Sequence, residues 1–197
     1  ENNAMTILNS KKLDLERIVL IIVEDVDSAY WGFTECYRNQ FDIPVVAVTG
    51  TSGKTTTKDM ILHILKQSLK VEGTRFSANG RPGHLTYLMR IDNTIQAAVY
   101  ETAVGAPGDI IYAARHFKPN IGIITNIGID HIDGCKTIEG YINSKAEMVS
   151  VLPEDGTLIL NADDANINSI DLSQFKGGVV TFGVQKHCDF YAQDIKY

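Results

Sequence analysis

Apolar runs and segments with helical periodicity follow one another along the chain. Two of the runs, "IPVVAV" and "IGIIT", are continuously apolar, which is typical of strands buried on both faces of a sheet. Strands that alternate with helices pair in parallel through crossover connections, so the pattern predicts an α/β fold with a mostly parallel sheet flanked by helices. We predict strands at 18–23, 43–49, 95–100, 121–125, 157–160 and, last, 178–182, and helices at 26–40, 54–69, about 107–117 and about 137–151, the final helix capped by Thr137.

A change of character near residues 41–44 marks a candidate domain boundary. The preceding residues are too few to form a domain with its own core, and they begin with the tag-like "ENNAM". We therefore expect 1–41 to be tag-like residues followed by a linker or the tail of another domain, with the main domain at 42–197.

Composition limits the classes of function. The chain has 197 residues, of which 44% are hydrophobic and 21% charged, as in an ordinary soluble globular protein. A net charge of −6 argues against a broad nucleic-acid surface, and no apolar run approaches the roughly 20 residues that a membrane span needs. The three cysteines lie far apart without a CxxC pair, which favours a reducing cytoplasm.

The stretch "VTGTSGKTTTKDM", residues 48–60, predicts a phosphate-binding loop. Unpaired N–H groups at a helix start form an anion site, and Gly50 and Gly53 allow close backbone approach. Lys54 can reach the β- and γ-phosphates, while the Thr55 hydroxyl can ligate Mg²⁺. The match to G-x-x-x-x-G-K-[ST] is partial, because the first glycine falls on Val48. The loop alone indicates a nucleotide and does not separate kinase, GTPase, ATPase and ligase.

Further polar residues follow the predicted strands, where ligands collect in open α/β sheets. Glu101 is a natural oxygen ligand for Mg²⁺, whereas His131 is a less usual one. Taken singly, a Glu at a strand end is more often a solvated carboxylate and a His after a strand is more often a structural hydrogen-bonding residue, while the local sequence around Lys145 favours a surface lysine. Other polar residues near these ends are Asn126, Asp130 and Asp133, the two aspartates being equally suited to turns, and a structural role is expected for His63, His84, His116 and His187.

Four ordered stretches together resemble the ATP-dependent Mur ligase family, whose members join amino acids or peptides to a carboxylate during peptidoglycan synthesis. They are "VTGTSGKTTTKDM", "YETAVGAPGDI", "PNIGIITNIGIDHIDGCKTIEGYINSKAEMV" and "GTLILNADD". Within the family, residues 23–50 and "APGDI" are most similar to the branch that adds D-alanyl-D-alanine to the UDP-muramoyl tripeptide.

The resemblance implies a role for each matching residue. Lys54 would neutralise the γ-phosphate, Glu101 would hold one Mg²⁺ ion, and His131 would help to bind a second. Lys145 matches a lysine that carries a CO₂-derived carbamate in many members. The implied nucleotide contacts are Gly50, Thr51, Ser52, Gly53, Lys54, Thr55, Thr56 and Asn79; the implied metal ligands are Thr55, Glu101, His131 and Lys145; the implied catalytic residues are Lys54, Glu101, His131 and Lys145.

The resemblance also implies a reaction and its partners. ATP would phosphorylate a substrate carboxylate, and an amine would attack the resulting acyl phosphate. The substrates would be a UDP-muramoyl peptide and an amino acid or dipeptide. Because family members have three domains, residues 42–197 would be a central domain incomplete at its C-terminal end, with the C-terminal domain absent. We expect such a fragment to bind ATP and magnesium without catalysing ligation alone.

Two alternatives remain open. The stretch "GRPGH" after Asn79 departs from the family pattern, which keeps a folylpolyglutamate- or cyanophycin-synthetase-like ligase in consideration. A degenerate, non-catalytic nucleotide-binding module is the other. An unrelated P-loop GTPase is disfavoured because no N-K-x-D motif occurs.

Overall fold

The computed structural model of the chain describes residues 19, 21–75, 80–128, 134–184 and 187–194. The chain divides into two compact units, residues 1–33 and 34–197. The helices are α1 (Val26–Arg38), α2 (Lys54–Leu65), α3 (Arg81–Leu88), α4 (Asp109–Phe117), α5 (Ile138–Val151) and α6 (Ala165–Asn168). The strands are β1 (Val45–Thr49), β2 (Val71–Gly73), β3 (Ala97–Glu101), β4 (Ile121–Ile124), β5 (Thr157–Asn161), β6 (Gly178–Gly183) and β7 (Phe190–Tyr191).

In the first unit, the prediction of a buried strand at 18–23 is wrong. The described residues of this run lie outside any strand, and Val19, Ile21 and Ile22 are 86%, 76% and 67% exposed. A strand needs a neighbour to satisfy its backbone groups, and the described residues before position 34 include none. Apolar composition alone was therefore a poor guide here.

In the second unit, the strands form one parallel sheet in the order β2-β3-β1-β4-β5-β6-β7. The predicted α/β class is confirmed. β1 lies between β3 and β4, with Val48 opposite Glu101 and Thr49 opposite Ile124. Since all pairs are parallel, the carboxyl ends of these strands meet at one edge of the sheet.

The central strand is buried on both faces, as its continuous apolar run predicted. Val46 and Val48 pack with Leu62 of α2 on one face of the sheet. Ala47 belongs to a core with residues of α4 and α5 on the other face. Alternate residues of a strand point to opposite faces, so helices must cover both sides of β1.

Four short elements were not predicted, namely β2, α3, α6 and β7, so 178–182 is not the last strand. They span two to eight residues, too few for a clear periodicity, and α3 opens on "RPGH" with Pro in its first turn. The longer helices were predicted in place, although α1 ends at Arg38 and α2 at Leu65, earlier than expected. The predicted cap of α5 is confirmed, because Gly140 N donates to Thr137 Oγ1 at 3.0 Å.

The end of α1, residues 34–38, belongs to the second unit and is held by hydrogen bonds within it. The buried Arg38 donates from Nε to the carbonyl of Phe117 at 2.7 Å, at the end of α4. The Tyr37 hydroxyl donates to the carbonyl of Ile91 at 2.7 Å. Among the helices of the described ranges, none combines the length and apolar character that a bilayer crossing requires.

Candidate functional site

The loop between β1 and α2 needs its two glycines for different reasons. Gly50 has φ +147°, and a Cβ there would lie 1.9 Å from Thr125 Oγ1. Gly53 has φ +77° and open space around it, so its requirement is conformational. α2 then begins at Lys54, with no side chain bonded to its cap position and no acidic residue in its first turn. Its leading N–H groups and its dipole therefore favour an anion at this edge of the sheet.

Two buried or half-buried lysines meet at the start of this loop. Lys54 Nζ donates to the carbonyls of Gly50 and Thr51, both at 3.0 Å. Lys145 Nζ donates to the same Gly50 carbonyl at 3.2 Å and lies 4.4 Å from the centre of the Tyr141 ring. Two ammonium groups at one oxygen repel each other. An anion bound beside both would relieve this repulsion, so the pair strengthens the attraction of the loop for an anion.

The prediction from local sequence that Lys145 is a surface lysine is wrong. Lys145 is 1% exposed on α5, not a surface lysine. Tyr141, one helical turn earlier, shares a hydrogen bond of 3.3 Å between its hydroxyl and Thr51 Oγ1. The i, i+4 spacing of these two residues puts both on the helix face that meets the loop.

The segment 125–128, which we call the clamp, holds the first half of the loop. Asn126 accepts from Thr51 N through its carbonyl oxygen and from Ser52 N through Oδ1, both at 2.9 Å. Its Nδ2 donates to the carbonyl of Ser52 at 3.0 Å, and Thr125 Oγ1 donates to that same carbonyl at 2.7 Å. Gly128 N donates to Thr51 Oγ1 at 2.9 Å. The loop's shape is therefore fixed by neutral hydrogen bonds from the end of β4.

The clamp is itself held by residues at the end of β5 and directly after it. Asp164 Oδ2 accepts from Ile127 N at 2.7 Å, while its Oδ1 caps α6. Asn161 and Asn166 donate from Nδ2 to the carbonyls of Thr125 and Ile127, at 3.0 and 2.6 Å. The stretch "LNADD", together with Asn166, therefore supports the loop indirectly, through the clamp.

The second half of the loop faces an acid. Thr55 Oγ1 donates to Glu101 Oε2 at 2.7 Å. Glu101 is 1% exposed at the end of β3, and its N–H donates to Thr74 Oγ1 at 3.0 Å. β3 is hydrogen-bonded to β1, so the sheet topology itself brings Glu101 to the helix that follows β1. The pair offers one hydroxyl and one carboxylate, both oxygen donors of the kind that Mg²⁺ prefers.

An open groove of about 580 Å³ runs from this point along α2. Thr55 and Thr56 line it at the loop end, and Met60 and Ile64, 60% and 65% exposed, line it further on. The predicted contact residue Thr56 is therefore exposed beside the loop.

Several predicted residues lie outside the described part of the chain, so their roles stay predictions. They are Asn79, Asp130, His131 and Asp133. Within the described residues, no three His, Cys, Asp or Glu side chains are grouped as a metal site would require. His84 and His116 lie in a buried aromatic cluster with Tyr112 and Phe117, while His63 and His187 are exposed.

Sequence reasoning missed the supporting residues. The signals were Asp164 directly before a short helix, Tyr141 one turn from Lys145, and Lys58 one turn from Lys54 on a predicted helix. Each needed the partner strand or helix to be known before its role could be seen.

A strand, a glycine-rich turn with Lys-Thr and a helix, set on a parallel sheet, define the P-loop class of folds. Within it, the chain belongs to the Mur ligase family, because the family model described as the Mur ligase middle domain matches residues 48–197. This confirms the family predicted from the motifs.

Relatives and solved structures agree with this assignment. The chain is 34% identical over 181 residues to the UDP-N-acetylmuramoyl-tripeptide–D-alanyl-D-alanine ligase of Bacillus subtilis, covering 91% of this chain and 38% of that protein. The ligase of the same name from Synechocystis is 33% identical over 170 residues, covering 86% and 37%. A crystal structure of MurF from Acinetobacter baumannii superposes with a TM-score of 0.80 at 27% identity, covering 92% and 41%. The chain spans about two fifths of the length of these proteins.

Proposed function

We propose that this chain binds the phosphates of Mg·ATP as part of a ligase that forms an amide bond in peptidoglycan precursor synthesis. The observation that carries the proposal is the Thr55–Glu101 hydrogen bond of 2.7 Å beside a loop that holds two lysine ammonium groups. The similar proteins of Bacillus subtilis and Synechocystis are named UDP-N-acetylmuramoyl-tripeptide–D-alanyl-D-alanine ligases. As part of the proposal, we extend the ligation in that name to this chain.

The loop suits a triphosphate. The first turn of α2 supplies N–H donors, and Lys54 supplies a charge that can move from the carbonyls of Gly50 and Thr51 to phosphate oxygens. We assign the nucleotide contacts to residues 50–56, with Asn79 retained from the sequence. In its unmodified form Lys145 adds a second ammonium group at Gly50, a contribution that conversion to a carbamate would remove.

The same region suits magnesium. Thr55 and Glu101 would hold the ion through oxygen atoms, and His131 and Lys145 are the further ligands proposed from the family, the latter after conversion to a carbamate. Bound magnesium would offset the negative charge of the phosphoryl oxygens. Glu101 is almost fully buried, so a nearby cation would also relieve the cost of its charge.

The chemistry follows from the weakness of a carboxylate as an acyl donor. A substrate carboxylate oxygen attacks the γ-phosphorus of ATP, ADP leaves, and an acyl phosphate forms. The incoming amine attacks the acyl carbon, inorganic phosphate leaves, and the amine nitrogen loses a proton. Lys54 and the N–H groups of α2 hold the phosphoryl oxygens on which charge collects during the first step.

The substrates we propose are a UDP-muramoyl tripeptide as the acid and D-alanyl-D-alanine as the amine, following the names of the two ligases. We also propose that the 197 residues do not complete ligation alone, since the chain covers only 38% of the Bacillus subtilis protein. A cytoplasmic location is part of the same proposal, supported by free thiols at Cys36, Cys135 and Cys188.

Calorimetric titration of Mg·ATP into the chain tests the phosphate site. We expect saturable binding that Lys54→Ala weakens by more than about tenfold, because a charge-assisted contact contributes roughly 1.5–3 kcal/mol. Lys66→Ala is the matched control, an exposed lysine at the end of the same helix. Equal binding by the wild type and Lys54→Ala, or none at millimolar nucleotide, would contradict the proposal.

A further inference from the structure

Lys58 is a fully buried charged residue for which the proposed chemistry has no use. It lies on α2, one turn after Thr55, and is 0% exposed. Burying an ammonium group is unfavourable unless the group is well paired. A methionine of similar length would fill the same space without that cost. The position therefore calls for a role that depends on the charged head of the side chain.

The contacts of Lys58 point towards Glu101. Its Nζ donates to the carbonyl of Thr74 at 2.8 Å and pairs with Asp59 Oδ1 at 3.0 Å. Thr74 directly follows β2, is 2% exposed, and accepts from Glu101 N through Oγ1 at 3.0 Å. Lys58 therefore holds Thr74, and Thr74 in turn holds the backbone of Glu101.

These bonds close into a ring. Thr55 bonds the Glu101 carboxylate, the Glu101 amide bonds Thr74, Thr74 bonds Lys58, and one turn of α2 joins Lys58 to Thr55. Residues three apart in a helix share a face, so Thr55 and Lys58 both project from α2 towards the same edge of the sheet. Every link is buried or partly buried, so little solvent competes with it.

We propose that Lys58 is a positioning residue for the magnesium site, acting through Thr74 to fix the Glu101 carboxylate opposite Thr55. The inference rests on the proposed function and deepens it, because it names the support of the metal-binding acid. Lys58 touches neither nucleotide nor metal in this role. It sets the position of the end of β2, and with it the direction from which Glu101 meets Thr55.

The binding test compares ADP affinity with magnesium and with a chelator, using the whole chain. In Lys58→Met we expect the gain in affinity due to magnesium to fall by about 10- to 100-fold, as for outer partners of metal ligands generally. Metal-free ADP affinity should stay within about twofold, since in the proposed role Lys58 acts on Glu101 and not on the phosphates. Lys66→Met, an exposed change on the same helix, should alter neither quantity.

A second pair of variants tests the same ring without changing Lys58. Thr74→Val removes the hydroxyl that accepts from Glu101 and should reproduce the loss, whereas Thr74→Ser keeps the hydroxyl and should restore the magnesium dependence. This pair decides the matter if Lys58→Met does not fold. An equal loss with and without magnesium in Lys58→Met and Thr74→Val would show general destabilisation and overturn the proposal.

Amide hydrogen exchange supplies a readout that needs no nucleotide. In the nucleotide-free chain, Lys58→Met should accelerate exchange of the Glu101 amide more than that of Ile123 in β4. If the wild type binds no nucleotide, the proposed function fails. Hydrogen exchange of the Glu101 amide would still test whether Lys58 positions Glu101, because it needs no nucleotide. Unchanged Glu101 exchange in Lys58→Met would overturn the positioning role.

Discussion

The two sides of the phosphate loop are held by different kinds of interaction. On one side the clamp, residues 125–128, binds Thr51 and Ser52 through backbone and amide groups that carry no charge. On the other side Thr55 meets the carboxylate of Glu101, which is 1% exposed. Neutral groups that satisfy one another are stable with or without a ligand. A buried carboxylate gains more from a nearby cation.

Shape and charge are supplied to the loop by separate parts of the structure. The clamp, backed by Asp164, sets the curve of the loop before any ligand arrives. The Glu101 side, backed by Thr74 and Lys58, supplies the oxygen donors that can respond to a metal. Damage to the clamp should therefore affect every ligand alike, whereas damage to Glu101 should affect only what depends on magnesium.

The largest expected effect on stability comes from Gly50→Ala, which should push the clamp away from the loop. The added Cβ would lie 1.9 Å from Thr125 Oγ1 and 3.2 Å from the backbone nitrogen and oxygen of Asn126. We expect a loss of about 3 kcal/mol or more in the free energy of unfolding, measured by urea denaturation, with loss of nucleotide binding. Gly53→Ala is the control, because it has open space and only its φ of +77° to strain, roughly 1–2 kcal/mol. Equal losses in the two variants would refute the clamp as the source of the constraint.

Next in size is Glu101→Gln, which keeps the shape of the side chain and removes its charge. We expect the magnesium-dependent part of ATP affinity to fall by more than about tenfold, because one anionic ligand is lost. Affinity without magnesium should hold or rise, since a negative charge near the phosphates has been removed. Calorimetry with magnesium and with a chelator measures both. A loss of the same factor in both conditions would mean that Glu101 acts on the fold, not on the metal.

A smaller effect is expected from Asn126→Ala, the counterpart on the neutral side. It removes the two side-chain hydrogen bonds to the backbone of Ser52, each contributing about 1 kcal/mol, and a longer one of 3.3 Å from Ser52 Oγ. Nucleotide affinity should fall by roughly 5- to 30-fold, and by the same factor with and without magnesium. Asn93→Ala, at an exposed turn before β3, should leave affinity unchanged. If Asn126→Ala weakened only the magnesium-dependent part, the division between the two sides would be wrong.

The smallest effect should come from acidification, through a histidine that belongs to neither side. Burial lowers the pKa of His116 below 6.5, with Arg115 adding to the effect and the hydrogen bond to the Tyr112 carbonyl opposing it. The unfolded chain therefore binds more protons below pH 6.5, so this contribution to stability is complete above that pH and declines as the pH falls towards the folded pKa. Urea denaturation from pH 7.5 down to about pH 5.5 should show the decline.

The variant His116→Gln should flatten this pH dependence, and His63→Gln, at an exposed position of α2, should not. An unchanged slope in His116→Gln would assign the acid sensitivity to another group.

Much of the site could be predicted from sequence because its key signals are local. Gly50, Gly53, Lys54 and Thr55 lie within six residues, and their chemistry depends on one strand, one turn and one helix. Glu101 was found because it closes an apolar run, and the ends of parallel strands share an edge. The run at 18–23 shows the limit of the same reasoning, since an apolar segment becomes a strand only where a partner strand exists.

The sequence by itself determined the α/β order and the family, and it predicted the candidate phosphate loop and the residues proposed for phosphate and magnesium, because each depends on neighbours along the chain. Tertiary structure decided that Lys145 is buried at Gly50, that Asn126 shapes the loop, and that Lys58 reaches Thr74. The hydrogen bonds of Lys145 and Asn126 join residues 74 to 95 positions apart, and that of Lys58 joins a helix to a strand end across 16. Such pairings depend on strand order and register, which no local pattern of apolar and polar residues specifies.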